Sequence, residues 1–525
     1  MIPYKQLKDE RWDAVVIGSG IGGLTTAALL AKKAGKKVLV LERHYTAGGF
    51  THSFDRPGYS WDVGVHYIGE CQRPDAQVRA AFDYLSEGRL EWAPMPDVYD
   101  RAVIGGKTYE FPSGEERLRT RLKGYFPGEE RAIDGYFRAV KSARRASGLF
   151  FAEKAVPRPI AWAAGGLMRR PFLRWSERTT LEVLRGLTKN EELIGVLTAQ
   201  WGDYGLPPGQ SSFGIHAIVA GHYFEGASYP VGGAGRICES ITPVIERAGG
   251  QIAVSAEVSQ IVVEGGRATG VRMAGGRIIR APLVISDAGA RNTFGRLVKE
   301  PQPVMSELAR IPGSMAHLSL YVGVKQSAEE LGLSGTNLWI CPSYDHDGNA
   351  ERFLRDQEAE FPMLFISFPS AKDPAFAAKH PGRATLEVVA LASYDWFARW
   401  AETRWKKRGE DYDALKQGLA ARMQAKLEEH VPAVRGKIDY AELSTPLSTR
   451  HFMNYERGET YGLAMTPERF RARALGARTG IGNLFLTGQD VTSLGVAGAM
   501  FGGAVTASAI LGRNLVGELG KPRRA

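Results

Sequence analysis

Three glycines and one acid near the start of the chain have the spacing to hold a dinucleotide. Gly18, Gly20 and Gly23 fall in the run Gly18-Ser19-Gly20-Ile21-Gly22-Gly23, and Glu42 follows 19 residues after Gly23. Gly18 permits a tight turn, Gly20 lets a pyrophosphate come up to the backbone, and Gly23 lets a helix close on a strand. A carboxylate at the distance of Glu42 can accept hydrogen bonds from an adenosine ribose. Glycine spacing alone is a weak signal, so the flanking residues decide its weight.

Those residues need a strand, a helix and a second strand to position them, and the sequence supplies all three. Ala14-Val15-Val16-Ile17 is an apolar β run that enters the turn. Leu24-Thr25-Thr26-Ala27-Ala28-Leu29-Leu30 has helical character, and Val38-Leu39-Val40-Leu41 ends on Glu42. The helix N-terminus then offers unpaired N–H groups and a partial positive charge to phosphates. The prediction is a βαβ dinucleotide unit over about residues 12–45.

Further along, residues 75–225 read as mainly helical. Residues 229–290 change to short β-prone runs, with Gly265-Gly266 and Gly275-Gly276 as hairpin turns. Leu283-Val284-Ile285-Ser286 and Leu484-Phe485-Leu486 read as buried strands returning to the first sheet. Gly232-Gly233-Ala234-Gly235 follows Tyr229-Pro230 rather than a clear buried strand, and reads as a helix-capping turn. A second complete dinucleotide domain is therefore not expected.

Composition narrows the class. The chain has 525 residues, 44% apolar and 24% charged, which suits a soluble protein of two or more domains. Cys71, Cys238 and Cys341 are too scattered for a disulfide framework. There is no CxxC or HExxH, and the six-residue spacing of His216 and His222 does not put both on one helical face, so no metal site is expected. The first eight residues lack an apolar leader core, which makes a cytoplasmic location the expectation. Residues 491–512 carry no charge and are long enough to cross a bilayer, but Gly, Ala, Ser and Thr dominate them. A buried helix packed closely on a ligand is the expected form.

The net charge of +10 is uneven. Residues 141–178 hold nine Lys and Arg (Lys141, Arg144, Arg145, Lys154, Arg158, Arg169, Arg170, Arg174, Arg178) against Glu153 and Glu177. Phe150, Phe151, Trp162, Leu167, Phe172 and Trp175 lie among them. Cations interleaved with aromatics suit a segment lying on anionic lipid. A solvated helical face over an ordinary core is the alternative. No nucleic-acid motif accompanies the charge, so nucleic acid is not an expected partner.

The chain resembles the glutathione-reductase-like flavoproteins that include amine oxidases, phytoene desaturases and carotenoid isomerases. Within that group it is most similar to the retinol saturase (all-trans-retinol 13,14-reductase) branch. The blocks carrying this are residues 18–54, DVGVHYIG at 62–69, residues 216–237, STPLSTRHF at 444–452 and NLFLTGQDVTSLGVAGAMFGG at 483–503. The tetrad His66-Tyr67-Ile68-Gly69 discriminates best, because the plant carotenoid isomerases lack it. The resemblance implies an α/β fold: a Rossmann FAD-binding domain (1–75, 226–300 and 475–525) with an inserted mixed α+β substrate domain (76–225 and 301–474).

It also implies roles. Gly18, Gly20, Ile21, Gly22 and Gly23 would cradle the pyrophosphate of a non-covalent FAD, and Glu42 would hold the ribose. Arg43, Gly48 and Gly49 would continue toward the flavin, and Val258 would meet the adenine edge through its backbone. Gly488 and Asp490 would take the ribityl or pyrophosphate end. Gly495, Val496 and Gly498 would open a helix toward the flavin carbonyls.

The expected reaction is hydride transfer from reduced flavin to a C=C bond of an apolar polyene or isoprenoid, with a proton going to the neighbouring carbon. NAD(P)H is an open electron donor without a motif of its own, and the oligomeric state is open. His66, Tyr67 and His222 are the candidate proton donors. Tyr223 and Tyr229, in the same block as His222, are further donor candidates, with a structural hydrogen bond that orients a loop as the alternative for each; Arg450 with His451, and Tyr461, are candidates to line the pocket. The run Tyr394, Trp396, Phe397, Trp400 and Trp405 reads as core or interface more readily than as a polyene channel. Desaturation, isomerisation, amine oxidation and a Rab-GDI-type lipid carrier remain alternatives that the same fold could serve.

Overall fold

Two sheets, one parallel and one mixed, organise the chain. The computed structural model describes residues 1–521, without the side chains of Arg158, Ile160 and Trp162. The parallel sheet has six strands in the order Ile2–Pro3, Gln251–Val254, Val38–Leu41, Ala14–Ile17, Val284–Ser286 and Leu484–Leu486. Every pairing in it is parallel. Four of these strands are buried at every position, as expected when helices cover both faces. Ala14–Ile17 has neighbours that continue in opposite chain directions, which makes its carboxyl end the switch point where such sheets bind ligands. Gly18 follows immediately.

Two helices sit against each other beside that point. Ile21–Ala34 follows the glycine turn, and Gly495–Leu511 comes from the far end of the chain. Their contact depends on missing side chains. A Cβ on Gly503 would lie 2.5 Å from the Gly22 carbonyl oxygen, and one on Gly502 would lie 2.2 Å from that of Gly488. The small residues of 491–512 thus serve close helix packing. Among the described residues, no helix is long and apolar enough to cross a membrane.

The second sheet has seven strands: Ile438–Ser444, Ala316–Val324, Ala384–Ala392, Leu364–Ser367, Asn337–Cys341, Val98–Ile104 and Lys107–Pro112. The last two strands correct the reading of 75–225 as mainly helical. They form a hairpin about Gly105-Gly106, whose positive φ values of 54° and 82° suit glycine. Trp92–Pro94 is a further strand, and it pairs with Ala227–Pro230. Tyr229-Pro230 therefore does end a buried strand, contrary to the sequence reading. The turn after it is nevertheless unfit for phosphate, because its N–H groups are taken, that of Gly233 by the Pro230 carbonyl and the others by side chains. Asp373 accepts from Gly232, Asp62 from Ala234, and Ser53 from Gly235.

The basic segment forms a pair of helices, Glu130–Glu153 and Arg158–Ser176. It does not present all its cations outward. Arg169 is buried, with Nη2 donating to the carbonyls of Phe470, Arg471 and Ala472. Lys154 donates to the Leu475 carbonyl, and burial pushes its ammonium down to about 7. Arg144 reaches Glu70 and the Gly221 carbonyl. Lys141, Arg145, Arg170, Arg174 and Arg178 remain exposed. Phe150 and Phe172 are core residues, whereas Leu149 and Leu167 are 55% and 77% exposed. The expectations for Arg158 and Trp162 fall outside the described side chains.

Candidate active site

One cavity of about 1110 Å³ starts at the glycine turn and ends against the second sheet. At its first end the turn and Glu42 line the wall with Ile21, Arg43, Gly48, Gly49 and Val258. Glu42 is fixed in place: Ser19 donates to it through N–H (3.0 Å) and hydroxyl (2.6 Å), and the His44 N–H donates at 2.7 Å. Gly18 and Gly48 have φ of 96° and 120°, so side chains there would be strained. Neither Ile21–Ala34 nor Gly495–Leu511 has a side-chain N-cap, and both open toward the cavity. Asp287 takes the N–H groups of Gly20 and Gly23, which leaves those of Ile21 and Gly22, with the opening turn of the second helix, for a ligand. A Cβ on Gly495 would meet nothing within 4 Å. This geometry fits a dinucleotide cofactor.

Two expected cofactor residues act from behind the wall. Gly23 and Gly488 do not line the cavity. A Cβ on Gly23 would sit 2.5 Å from the Gly18 carbonyl oxygen, and one on Gly22 would sit 2.3 Å from the Gly488 Cα. They let the turn, the helix and the late strand touch. Asp490 does line the cavity but is also a structural tie. It accepts from the Ala290 N–H at 2.7 Å and from buried Arg469 at 3.3 Å. Asp287, which the sequence reading did not single out, stands beside the turn. A Cβ on Gly20 would lie 2.5 Å from its Oδ2. Burial, with the charges of Glu42 and Asp490 adding to it, pushes Asp287 up to about 8.

The tetrad His66-Tyr67-Ile68-Gly69 forms the wall further in, and all of it but the His66 ring is tied down by hydrogen bonds. His66 Nδ1 lies 3.5 Å from Glu387 Oε2, and neither group has a hydrogen bond elsewhere. Burial, reinforced by the Lys372 and His317 charges, lowers His66 to about 3. Burial pushes fully enclosed Glu387 well above the carboxylate range. The two meet as neutral groups. Lys372, lowered by burial to about 7, donates to the His66 carbonyl at 2.9 Å, to Ser367 at 2.7 Å and to Asn337. Tyr67 Oη stands between Asp100 and Asp203, 2.9 Å from each.

His222 lines the cavity and also tethers the tetrad: its Nε2 accepts from the Gly69 N–H at 2.9 Å, and its Nδ1 faces Glu70 at 3.7 Å. Tyr223 and Tyr461 line the cavity; Tyr229, Arg450 and His451 do not. Tyr229 donates to Asp62, Arg450 holds Tyr394 and Glu402, and His451 stacks on Trp405. None of the aromatics from Tyr394 to Trp405 reaches the cavity; Phe397 and Trp400 are core. The apolar walls are instead Phe151, Trp201, Tyr223, Trp339, Met363 and Phe365.

Residues 16–85 match the family model of the NAD(P)-binding Rossmann-like domain. An all-trans-retinol 13,14-reductase of Danio rerio is 39% identical over 96% of this chain and 87% of its own length. The chain belongs to the all-trans-retinol 13,14-reductase family. A chloroplastic prolycopene isomerase of Arabidopsis thaliana is more distant, at 27% identity over 97% of this chain and 86% of its own. A solved putrescine oxidase shares the fold at a TM-score of 0.62, with 16% identity, 96% of this chain and 100% of that one. Membership of the all-trans-retinol 13,14-reductase family makes the protein an oxidoreductase.

Besides Asp287, the residues that the sequence reading missed are those around the tetrad: Asp100, Asp203, Asn337, Lys372 and Glu387. Two of them left a trace. Glu387 is the lone acid in Ala384-Thr385-Leu386-Glu387-Val388-Val389-Ala390, and Asp100 interrupts the β run 98–104. A charged residue at the centre of a buried strand needs a reason, and here the reason is the tetrad.

Proposed function

We propose that the protein is an FAD-dependent oxidoreductase that adds two hydrogens across one C=C bond of a conjugated polyene or isoprenoid. The observation that carries this is the single cavity: a dinucleotide cradle at one end is continuous with an aromatic chamber at the other. FAD held by the turn, Glu42 and the two helix ends would supply a hydride at the junction, next to the tetrad. The protein's own residues orient the substrate, exclude water and bring a proton. Phe151, Tyr223, Trp339 and Phe365 offer flat apolar surface to a polyene. The electron donor is left open, and the absence of a second glycine fingerprint favours a donor that uses the same cofactor face.

Substrate enters from lipid in this reading. The cavity reaches the surface at Gly148, Ala152 and Pro157, at the turn between the two basic helices. Beside it stand exposed Leu149 and Leu167, with Arg170 and Arg174 on the second helix. We place the protein at the cytoplasmic face of a membrane, docked through this hairpin.

The test is anaerobic incubation of photoreduced, FAD-loaded protein with all-trans-retinol, a carotenoid and an unsaturated fatty acid. Flavin reoxidation with a product two hydrogens heavier is the expected result. Reduced flavin that none of them reoxidises would refute the reading. The similarity to a prolycopene isomerase supports one rival, isomerisation, in which product mass is unchanged.

A further inference from the structure

Tyr67 Oη lies 2.9 Å from Asp100 Oδ2 and 2.9 Å from Asp203 Oδ2. A phenol has one hydrogen and donates to only one of them. The other carboxyl must bring its own hydrogen or set lone pair against lone pair. Asp100 is built as the anion. Asn337 Nδ2 donates to its Oδ1 at 2.8 Å, and Gln200 Nε2 and Trp339 Nε1 donate to Oδ2 at 2.6 and 2.9 Å. Burial lifts Asp100 too, but these three donors and Tyr67 oppose it. Among the described residues, Asp203 has no donor except the phenol. Burial and then the Asp100 charge lift it well above the carboxylate range, with Tyr67 alone opposing. Of the two carboxyls it is the one that lines the cavity, as Tyr67 also does and Asp100 does not.

We propose that Asp203 is the acid that protonates the polyene carbon beside the one receiving hydride, with Tyr67 and Asp100 keeping it protonated in the resting site. The proposal rests on the ene-reductase reading above. The Asp203 O–H bond breaks and its proton forms a C–H bond with the π electron pair. Hydride from the two-electron-reduced flavin forms the other C–H bond, and the flavin is thereby oxidised. Asp203 is left as a carboxylate. The Tyr67 hydrogen then turns from Asp100, which keeps three donors, to Asp203. Water returns the proton once product has left.

The experiment uses the FAD-loaded protein. Its infrared spectrum should contain the carbonyl stretch of a buried carboxylic acid that Asp203→Asn removes. Tyr67→Phe should shift that band to higher frequency, because the acid loses its acceptor. In D₂O, the photoreduced wild type with all-trans-retinol should place one solvent deuterium on a single face of the product. Asp203→Asn, with flavin content and melting as controls for folding, should slow flavin reoxidation about 100-fold or more. Asp203→Glu should recover part of that rate. Wild-type rate and stereochemistry in Asp203→Asn would overturn the proposal while leaving the ene-reductase reading intact, as would a band unmoved by both substitutions. A wild-type flavin that no polyene reoxidises overturns both.

Discussion

Charge at single residues is managed by neutralisation as much as by pairing. His66, Glu387 and Asp203 are all pushed toward their uncharged forms, and Lys372 has its ammonium lowered to about 7. An apolar substrate needs such a chamber, because a bare ion in its wall would hold water. Asp287 extends the pattern to the cofactor end, with its carboxyl raised from 3.8 to about 8. An acid raised on folding contributes stability that is complete below its unfolded pKa and lost as pH climbs through the folded one. Asp287→Asn removes that loss. The variant should melt close to wild type near about pH 4 and at a higher temperature than wild type above about pH 8. Thermal melts of cofactor-free protein across that window check it, and an unchanged difference would place the ionisation elsewhere. Apart from Glu387, a lone acid in an apolar strand, none of this neutralisation was legible from residue identity. Gly18, Gly20 and Glu42 announce themselves by spacing, whereas Asp203 and Lys372 become functional only through partners far away in the sequence.

At the scale of elements, the glycine-turn unit and the returning strands could be read directly, because apolar runs next to glycines have few alternative folds. The hairpin at 98–112 was missed because its alternation lies in a stretch otherwise dominated by helical pattern. The basic helices were half legible. Composition gives the cations but not their direction, and Arg144, Lys154 and Arg169 turn inward to cap carbonyls. Arg169→Glu therefore probes folding and says nothing about lipid. The informative variant is Arg170→Glu with Arg174→Glu, combined with Leu167→Ser. It should lose most cosedimentation with anionic vesicles, and the wild-type interaction should weaken with salt. Unchanged binding would show that this pair of helices is a solvated face.

Across the whole molecule, the cavity belongs to neither sheet alone. Its first end is built from residues 17–49 and 487–498, its far end from the seven-stranded sheet, and the tetrad bridges them through Lys372 and Glu387. Cofactor binding should therefore raise a single melting transition rather than one of two. The stabilisation should reach about 2.7 kcal/mol at a hundredfold excess of FAD over its Kd. Calorimetry of apo and loaded protein measures it, and a second transition that ignores FAD would show the sheets to be energetically separate.

The continuity of that cavity also imposes a sequence in time. A greasy molecule entering past Gly148 and Pro157 meets no wall before the glycine turn if the cofactor has not yet arrived. Loading order then matters: cofactor first leaves room for substrate, while lipid or detergent first blocks the seat of the cofactor. Two preparations of the same chain, one purified with FAD present and one given it afterwards, would differ in active fraction through their history alone.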